Sequence, residues 1–114
     1  LAHLNNPWQS AVLKMIKMTV EGAQRASVTA GKKKYVSVCG EAAADPALAV
    51  VLIGLGVDTL SMNAGAIPAV AAVLKSVTKE KAQQIAAIAL QQISSAEAKE
   101  SARKALPILD ELGL

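Results

Sequence analysis

The stretch YVSVCGEAAADPALAVVLIGLGVDTLSM, residues 35–62, places a short strand, a helix and a second strand in immediate succession. In residues 35–39 Tyr35, Ser37 and Cys39 alternate with two valines, the period-2 pattern of a strand. Residues 57–62 alternate in the same way. Two strands joined by one helix form a βαβ unit, so the strands are predicted to be parallel with a right-handed crossover.

The joining helix carries start and stop signals. Asp45 can cap it, and Pro46 occupies the first turn, where its missing N–H costs nothing. Residues 47–55 are almost entirely apolar and end at Gly54-x-Gly56, which predicts a buried helix that stops at the glycines. The two glycines lack the third glycine and the following helix of a dinucleotide fingerprint.

Further helices are predicted on both sides of this unit. Asn6 and Pro7 predict a helix over residues 7–25, followed by a solvated loop with the lysine run 32–34. Three later helices are predicted to begin at Pro68, Thr78 and Ser94, with Pro107 bending or ending the last. The side chains expected in the core include Met15, Met18, Met62 and the stripe Ala82, Ile85, Ala86, Ala89 and Ile93.

The predicted fold class is α/β, with two parallel βα units plus extra carboxyl-terminal helices, and it is incomplete on its own. Two parallel strands leave edges and an apolar face uncovered, so we expect further strands from elsewhere. The chain opens without methionine or a signal-peptide pattern, which predicts a fragment of a longer protein. Alone, it is expected to be poorly soluble, oligomeric or domain-swapped.

Composition narrows the class of function. The net charge of +3 is mild and the lysine run lacks aromatic or glycine-rich recognition elements, which argues against nucleic-acid binding. The longest apolar run, residues 47–57, is about half the length of a membrane-spanning helix. A single cysteine excludes an internal disulfide framework and favours a reducing, cytoplasmic compartment.

Cys39 is the leading candidate for chemistry. It ends the first strand, at the edge where parallel α/β folds bind ligands, and faces the start of the Asp45 helix. A helix amino terminus favours a thiolate, so a thiol there can donate or accept a proton. The alternative, that Cys39 is a small buried hydrophobic residue, remains open.

Other polar residues are weaker candidates. Glu41 is either a general base or a loop carboxylate bonded to backbone N–H groups. Asp45 is interpreted as a helix cap, and Asp58 as a residue that bonds within the loop before its strand. His3 has no ligand partners at metal-binding spacing, and the sequence has no catalytic Ser/His/Asp set or phosphate loop.

Five short motifs follow one another along the chain: Cys39-Gly40-Glu41, Asp45-Pro46, Gly54-Leu55-Gly56-Val57-Asp58, Leu60-Ser61-Met62 and Ile67-Pro68. Together with His3-Leu4-Asn5-Asn6-Pro7-Trp8 they resemble the carboxyl-terminal signature of the phosphoenolpyruvate (PEP)-utilising enzymes. Within that group the chain looks most like the PEP-protein phosphotransferases, enzyme I of the bacterial sugar phosphotransferase system. The departure from the family pattern is Ala42-Ala43-Ala44, where relatives often have a bulkier residue and a glycine.

The resemblance implies a (β/α)8 TIM barrel that binds PEP and Mg²⁺ at its carboxyl face, with residues 1–114 as its carboxyl-terminal segment. PEP would transfer its phosphoryl group to a histidine on a separate domain, and Cys39 would protonate the pyruvate enolate. Ser61 could line the same mouth. The histidine, the arginines and the Mg²⁺ ligands would lie upstream. The implied partners are PEP or pyruvate, a phosphocarrier protein for sugar uptake, and a second copy in a homodimer.

Two alternatives remain. Pyruvate phosphate dikinase and PEP synthase share the cysteine and the barrel, although Leu60-Ser61-Met62-Asn63 and Ile67-Pro68 fit the phosphotransferases better. The other alternative is a non-catalytic dimerisation module, in which Cys39 is structural.

Overall fold

The computed structural model describes residues 6–114, so the expectations for His3 and the rest of the first five residues lie outside it. The described residues form two strands, seven α-helices and one 3-10 helix. In chain order they are α1 (Ser10–Ala30), β1 (Ser37–Cys39), α2 (Glu41–Ala44), α3 (Pro46–Gly54), β2 (Thr59–Ser61), the 3-10 helix (Ala64–Ala66), α4 (Ile67–Lys75), α5 (Lys79–Gln91), α6 (Ser95–Lys104) and α7 (Ile108–Glu111).

The two strands are parallel, as predicted, and α2 and α3 connect them, where the sequence predicted one helix. Their register pairs Ser37 with Thr59 and Cys39 with Ser61. Each strand is shorter than the sequence pattern suggested. Before the regular ladder begins, the Val36 N–H donates to the Asp58 carboxylate at 2.9 Å instead of to a backbone carbonyl.

α3 lies at the centre of the core. Every side chain from position 47 to position 52 is fully buried, and α2, α4, α5 and α6 pack around the helix. A helix covered on all sides has no need of a polar stripe, which explains its almost uniformly apolar sequence. The prediction of a buried helix that ends at Gly54 is confirmed.

α1 begins and ends later than predicted. Asn6 does not cap it; the Asn6 Oδ1 atom accepts the backbone N–H of Trp8 at 2.9 Å, in a turn before the helix. The N-cap position belongs to Gln9, and the helix runs on to Gly31, whose φ of +69° is readily adopted by glycine. No glycine or proline between Arg25 and Gly31 stops the helix earlier.

Two methionines assigned to the core are exposed. Met15 and Met18 are 68% and 67% exposed, because they lie on the face of α1 opposite Leu13 and Val20, which pack inward. Ile93 is 91% exposed, since α5 ends before it is reached. The core assignment was wrong for these three residues.

The later helices start where their capping residues predict. The Thr78 hydroxyl accepts the Lys81 N–H at 3.1 Å, and the Ser94 hydroxyl accepts the Glu97 N–H at the same distance. Pro107 separates α6 from α7, which confirms that it ends a helix. Among the helices of residues 6–114, none is both long enough and apolar enough to cross a membrane.

Candidate active site

Cys39 and Ser61 lie side by side at the carboxyl ends of the two strands. They are partners in the parallel register, and the Gly40 N–H donates to the Ser61 carbonyl at 3.0 Å. Both side chains are exposed, whereas Val38 and Leu60 are partly buried against the core. The two-stranded sheet thus has an apolar face toward the core and a polar face that ends in a thiol and a hydroxyl. Cys39 is not a core residue of this chain.

Gly40 turns the chain from β1 directly into α2. Its φ of +93° and ψ of −155° form a conformation that other residues rarely adopt, although a Cβ would meet nothing within 4 Å. Its carbonyl accepts the N–H groups of Ala43 and Ala44 at 3.1 and 3.3 Å. Residues 41–44, which the sequence predicts to be a loop, form the helix α2 instead. The signal was the run of three alanines, the strongest helix formers.

Asp45 caps α3, as predicted, and makes a second contact that the sequence analysis missed. Its Oδ1 atom accepts the N–H groups of Ala47 and Leu48 at 3.1 and 3.3 Å. Its Oδ2 atom accepts the indole Nε1–H of Trp8 at 3.1 Å. Trp8 precedes Asp45 by 37 positions, and no local pattern predicts a contact between residues so far apart.

Cys39 does not face the amino terminus of α3 directly, although the sequence predicts that it does. α2 separates the thiol from α3, and the first N–H groups of α3 are bonded to the Asp45 carboxylate. Glu41 lies exposed in the first turn of α2 and not in an irregular loop. The case for Cys39 therefore depends on its place at the strand end and its exposure.

The Asp58 carboxylate bonds to the segment before β1, and not within its own loop as predicted. Its Oδ1 atom lies 3.0 Å from Lys33 Nζ, so one member of the lysine run is paired. The Val36 N–H and then Lys33 hold the pKa of Asp58 below its ordinary value. Asp58, chiefly by its hydrogen bond, raises the pKa of Lys33. This cluster lies at the amino ends of the strands, opposite the edge that bears Cys39.

A cleft lies at that opposite edge. It measures about 770 Å³ and its lining includes Lys33, Asp58, Thr78 and Gln83, but not Cys39. We place the candidate active site at Cys39 nonetheless, because parallel sheets bind ligands at the carboxyl ends of their strands. Residues 6–114 contain no group of three or more His, Cys, Asp or Glu side chains that could hold a metal ion.

Comparison with known families tests the resemblance directly. The model of the family "PEP-utilising enzyme, PEP-binding domain" matches residues 1–79, which include both strands and α1 to α4. The chain belongs to the PEP-utilising enzymes. Cys39 and Ser61 lie inside the region that the family model matches. Most of α5 and all of α6 and α7 lie beyond that region.

Relatives of this PEP-utilising segment are much longer than the chain. A PEP-protein phosphotransferase of Streptomyces coelicolor is 41% identical over 106 residues, covering 93% of this chain and 18% of that protein. The Haemophilus influenzae protein of the same name is 31% identical, with coverage of 85% and 16%. A multiphosphoryl transfer protein of Xanthomonas campestris is 44% identical, with coverage of 71% and 9%. The chain thus spans less than a fifth of each of these relatives.

Proposed function

We propose that the chain is the carboxyl-terminal segment of the (β/α)8 barrel of a cytoplasmic PEP-protein phosphotransferase. The names of the relatives from Streptomyces and Haemophilus favour this activity over that of a dikinase or a synthase. The βαβ unit supports the barrel, because its helices cover one face of the sheet while the other face is polar and open. In a barrel that second face would point inward.

The observation that carries the proposal is the pairing of Cys39 with Ser61 at the carboxyl edge. In TIM barrels this edge binds substrate, and residues at strand ends perform the chemistry. Cys39 is exposed there, and Gly40 holds the chain in a tight turn immediately after it. A thiol in that position can reach a substrate bound over the barrel mouth.

The proposed role of Cys39 is general acid catalysis at carbon. PEP loses its phosphoryl group to a histidine elsewhere in the parent enzyme, which leaves the enolate of pyruvate. The electron pair of the enolate C=C bond forms a new C–H bond with the thiol proton, the S–H bond breaks, and the enolate oxygen becomes a carbonyl. The thiolate then takes a proton from water. In reverse, the thiolate removes a methyl proton from pyruvate.

The remaining parts of the proposal lie outside this chain. The proposed Mg²⁺ has no acidic cluster to bind within residues 6–114, so its ligands belong elsewhere in the parent. We also propose that the phosphorylated histidine lies elsewhere in the parent. A phosphocarrier protein would take the phosphoryl group from it toward sugar uptake, and a second copy of the parent would complete a homodimer.

Cys39→Ala in the full-length parent tests the proposal. General acids contribute about 10²–10⁴-fold to a rate, so we expect pyruvate formation to slow by that order. Capture of labelled phosphate by the protein in the first turnover should fall much less. PEP carrying tritium on one vinyl position, turned over in D₂O, should give a chiral methyl group with the wild type and a racemic one with the variant.

Ser61→Ala is the matched control, since it removes the neighbouring hydroxyl from the same edge and should leave the methyl group chiral. An unchanged rate and unchanged chirality in Cys39→Ala would rule out the proposed role and leave assembly as the function of the segment. Dependence of the wild type on a nucleotide in place of a carrier protein would identify a dikinase or synthase.

A further inference from the structure

The bond between Trp8 and Asp45 joins the segment before α1 to the residue between α2 and α3, six positions after Cys39. The indole Nε1–H donates to Asp45 Oδ2 at 3.1 Å, and the ring is only 3% exposed. The backbone N–H of Trp8 is itself held by the Asn6 side chain at 2.9 Å. The donor is therefore fixed on both its backbone and its ring before it reaches the carboxylate.

The Asp45 carboxylate has both oxygen atoms in use. Oδ1 binds two N–H groups at the start of α3, and Oδ2 binds the indole. Hydrogen bonds to an ionised acceptor are roughly twice as strong as neutral ones. With α3 buried in the core, the carboxylate is a fixed point to which the preceding residues are attached.

A short, packed path connects Asp45 to the thiol. α2 fills the interval between Gly40 and Asp45, and the side chain of Ala43 at its centre is fully buried. The N–H groups of Ala43 and Ala44 bind the Gly40 carbonyl, and the Gly40 N–H binds the opposite strand. A shift of Asp45 would thus move α2 and the peptide that follows Cys39.

We propose that Trp8 is a positioning residue for Cys39, acting through Asp45 and α2. This inference rests on the proposed role of Cys39 as the proton donor. The indole N–H selects one orientation of the Asp45 carboxylate, and the rigid turn passes that orientation to the thiol. Because a displacement of about 1 Å in a reacting group can cost 10²-fold in rate, a single hydrogen bond at this distance has a measurable effect.

Trp8→Phe and Asp45→Asn in the full-length parent break the same bond from its two ends. Phenylalanine keeps a buried ring without a donor. Asparagine keeps the oxygen that caps α3 but places an NH₂ group against the indole. We expect each variant to slow protonation about tenfold with little change in KM for PEP, to lower the chirality of the pyruvate methyl group, and to have no added effect in the double variant.

Val20→Ala is the control for lost core volume, because Val20 is buried in α1, the helix that follows Trp8, but lines the cleft at the opposite edge. It should leave the chirality of the methyl group intact. The decisive comparison repeats Trp8→Phe and Asp45→Asn in the Cys39→Ala background, where neither should slow the residual reaction further.

The possible results separate the two proposals. If Cys39→Ala has no effect, the proposed function fails. If Cys39→Ala acts as expected but Trp8→Phe and Asp45→Asn have no more effect than Val20→Ala, the positioning role of Trp8 fails. It also fails if these two variants slow the reaction as much in the Cys39→Ala background as in the wild type. If Trp8→Phe does not fold, Asp45→Asn alone tests the positioning role of Trp8.

Discussion

At the residue scale, two glycines are required for different physical reasons. Gly40 supplies a backbone conformation at φ +93°, with open space where a side chain would go. Gly54 supplies space, because a Cβ there would lie 2.1 Å from the carbonyl oxygen of Ala82 and 2.9 Å from the Ala86 Cβ atom. α3 and α5 approach so closely at this point that any side chain on Gly54 forces them apart.

Gly54→Ala should therefore destabilise the packing of α3 on α5 by about 1–3 kcal/mol, the usual cost of overpacking a core. Amide hydrogen exchange in the parent protein measures this as faster opening of both helices. Gly65→Ala is the matched control, since a Cβ there meets nothing within 4 Å. Equal exchange rates in the two variants would contradict the close approach.

At the element scale, charge fixes the amino ends of the strands. Asp58 precedes β2, and its carboxylate holds both the Val36 N–H before β1 and the Lys33 ammonium. Lys33 also lies 5.2 Å from the centre of the Tyr35 ring. The loop after α1 is thereby attached to both strands, although its lysines are exposed. The loop is solvated as predicted, but one of its residues, Lys33, is held by the Asp58 carboxylate.

Asp58→Asn should loosen this attachment in a pH-dependent manner. Because the pKa of Asp58 is lowered, its charge stabilises the fold at pH values above the ordinary pKa of 3.8. This stabilisation is lost as the pH falls through the lower pKa of the folded state. Because the pKa of Lys33 is raised, its charge stabilises the fold at pH values below the ordinary pKa of 10.5. This stabilisation is lost as the pH rises through the higher pKa of the folded state. The ion pair therefore acts between these limits.

The measurement is the ratio of amide exchange rates at residues 36–39, variant to wild type, at each pH. We expect faster exchange in Asp58→Asn at pH 7, and a ratio that approaches one in acid or at high salt. Lys32→Gln removes a charge from the same loop and serves as the control. A ratio independent of both pH and salt would show that the ion pair contributes nothing.

At the scale of the whole molecule, the chain buries one side of its elements and leaves the other open. Within residues 6–114, β1 and β2 pair only with each other, so each has an edge without a partner strand. α1 packs inward through Leu13 and Val20 and presents Met15 and Met18 outward. Such surfaces on an isolated segment favour association.

We expect the isolated 114-residue chain to self-associate, and Met15→Gln with Met18→Gln to weaken that association. If half of each methionine side chain is buried on association, the two together contribute about 1.5–3 kcal/mol to the free energy of association. Their replacement should therefore raise the dissociation constant about tenfold or more. Sedimentation velocity over a concentration series measures it. Lys17→Gln with Glu21→Gln removes an exposed ion pair from the same helix and should change little. A monomeric wild-type segment would refute this expectation.

Much of the local structure could be predicted because its causes are local. The caps at Asp45, Thr78 and Ser94 act on N–H groups two or three residues away, so they are visible in the sequence. The parallel sheet followed from two strands joined by one helix. The same alternation placed Cys39 at a strand end. The family resemblance was confirmed by the match over residues 1–79.

By itself, the sequence determined the order of the two strands and the longer helices, the burial of α3, and the positions of Cys39 and Ser61 at the ends of their strands. Only the tertiary structure decided which face of α1 is buried, and that Trp8 reaches Asp45 and Lys33 reaches Asp58. The reason is distance along the chain. Capping and side-chain alternation involve neighbouring residues, whereas these contacts depend on which remote segments meet once α3 has been covered.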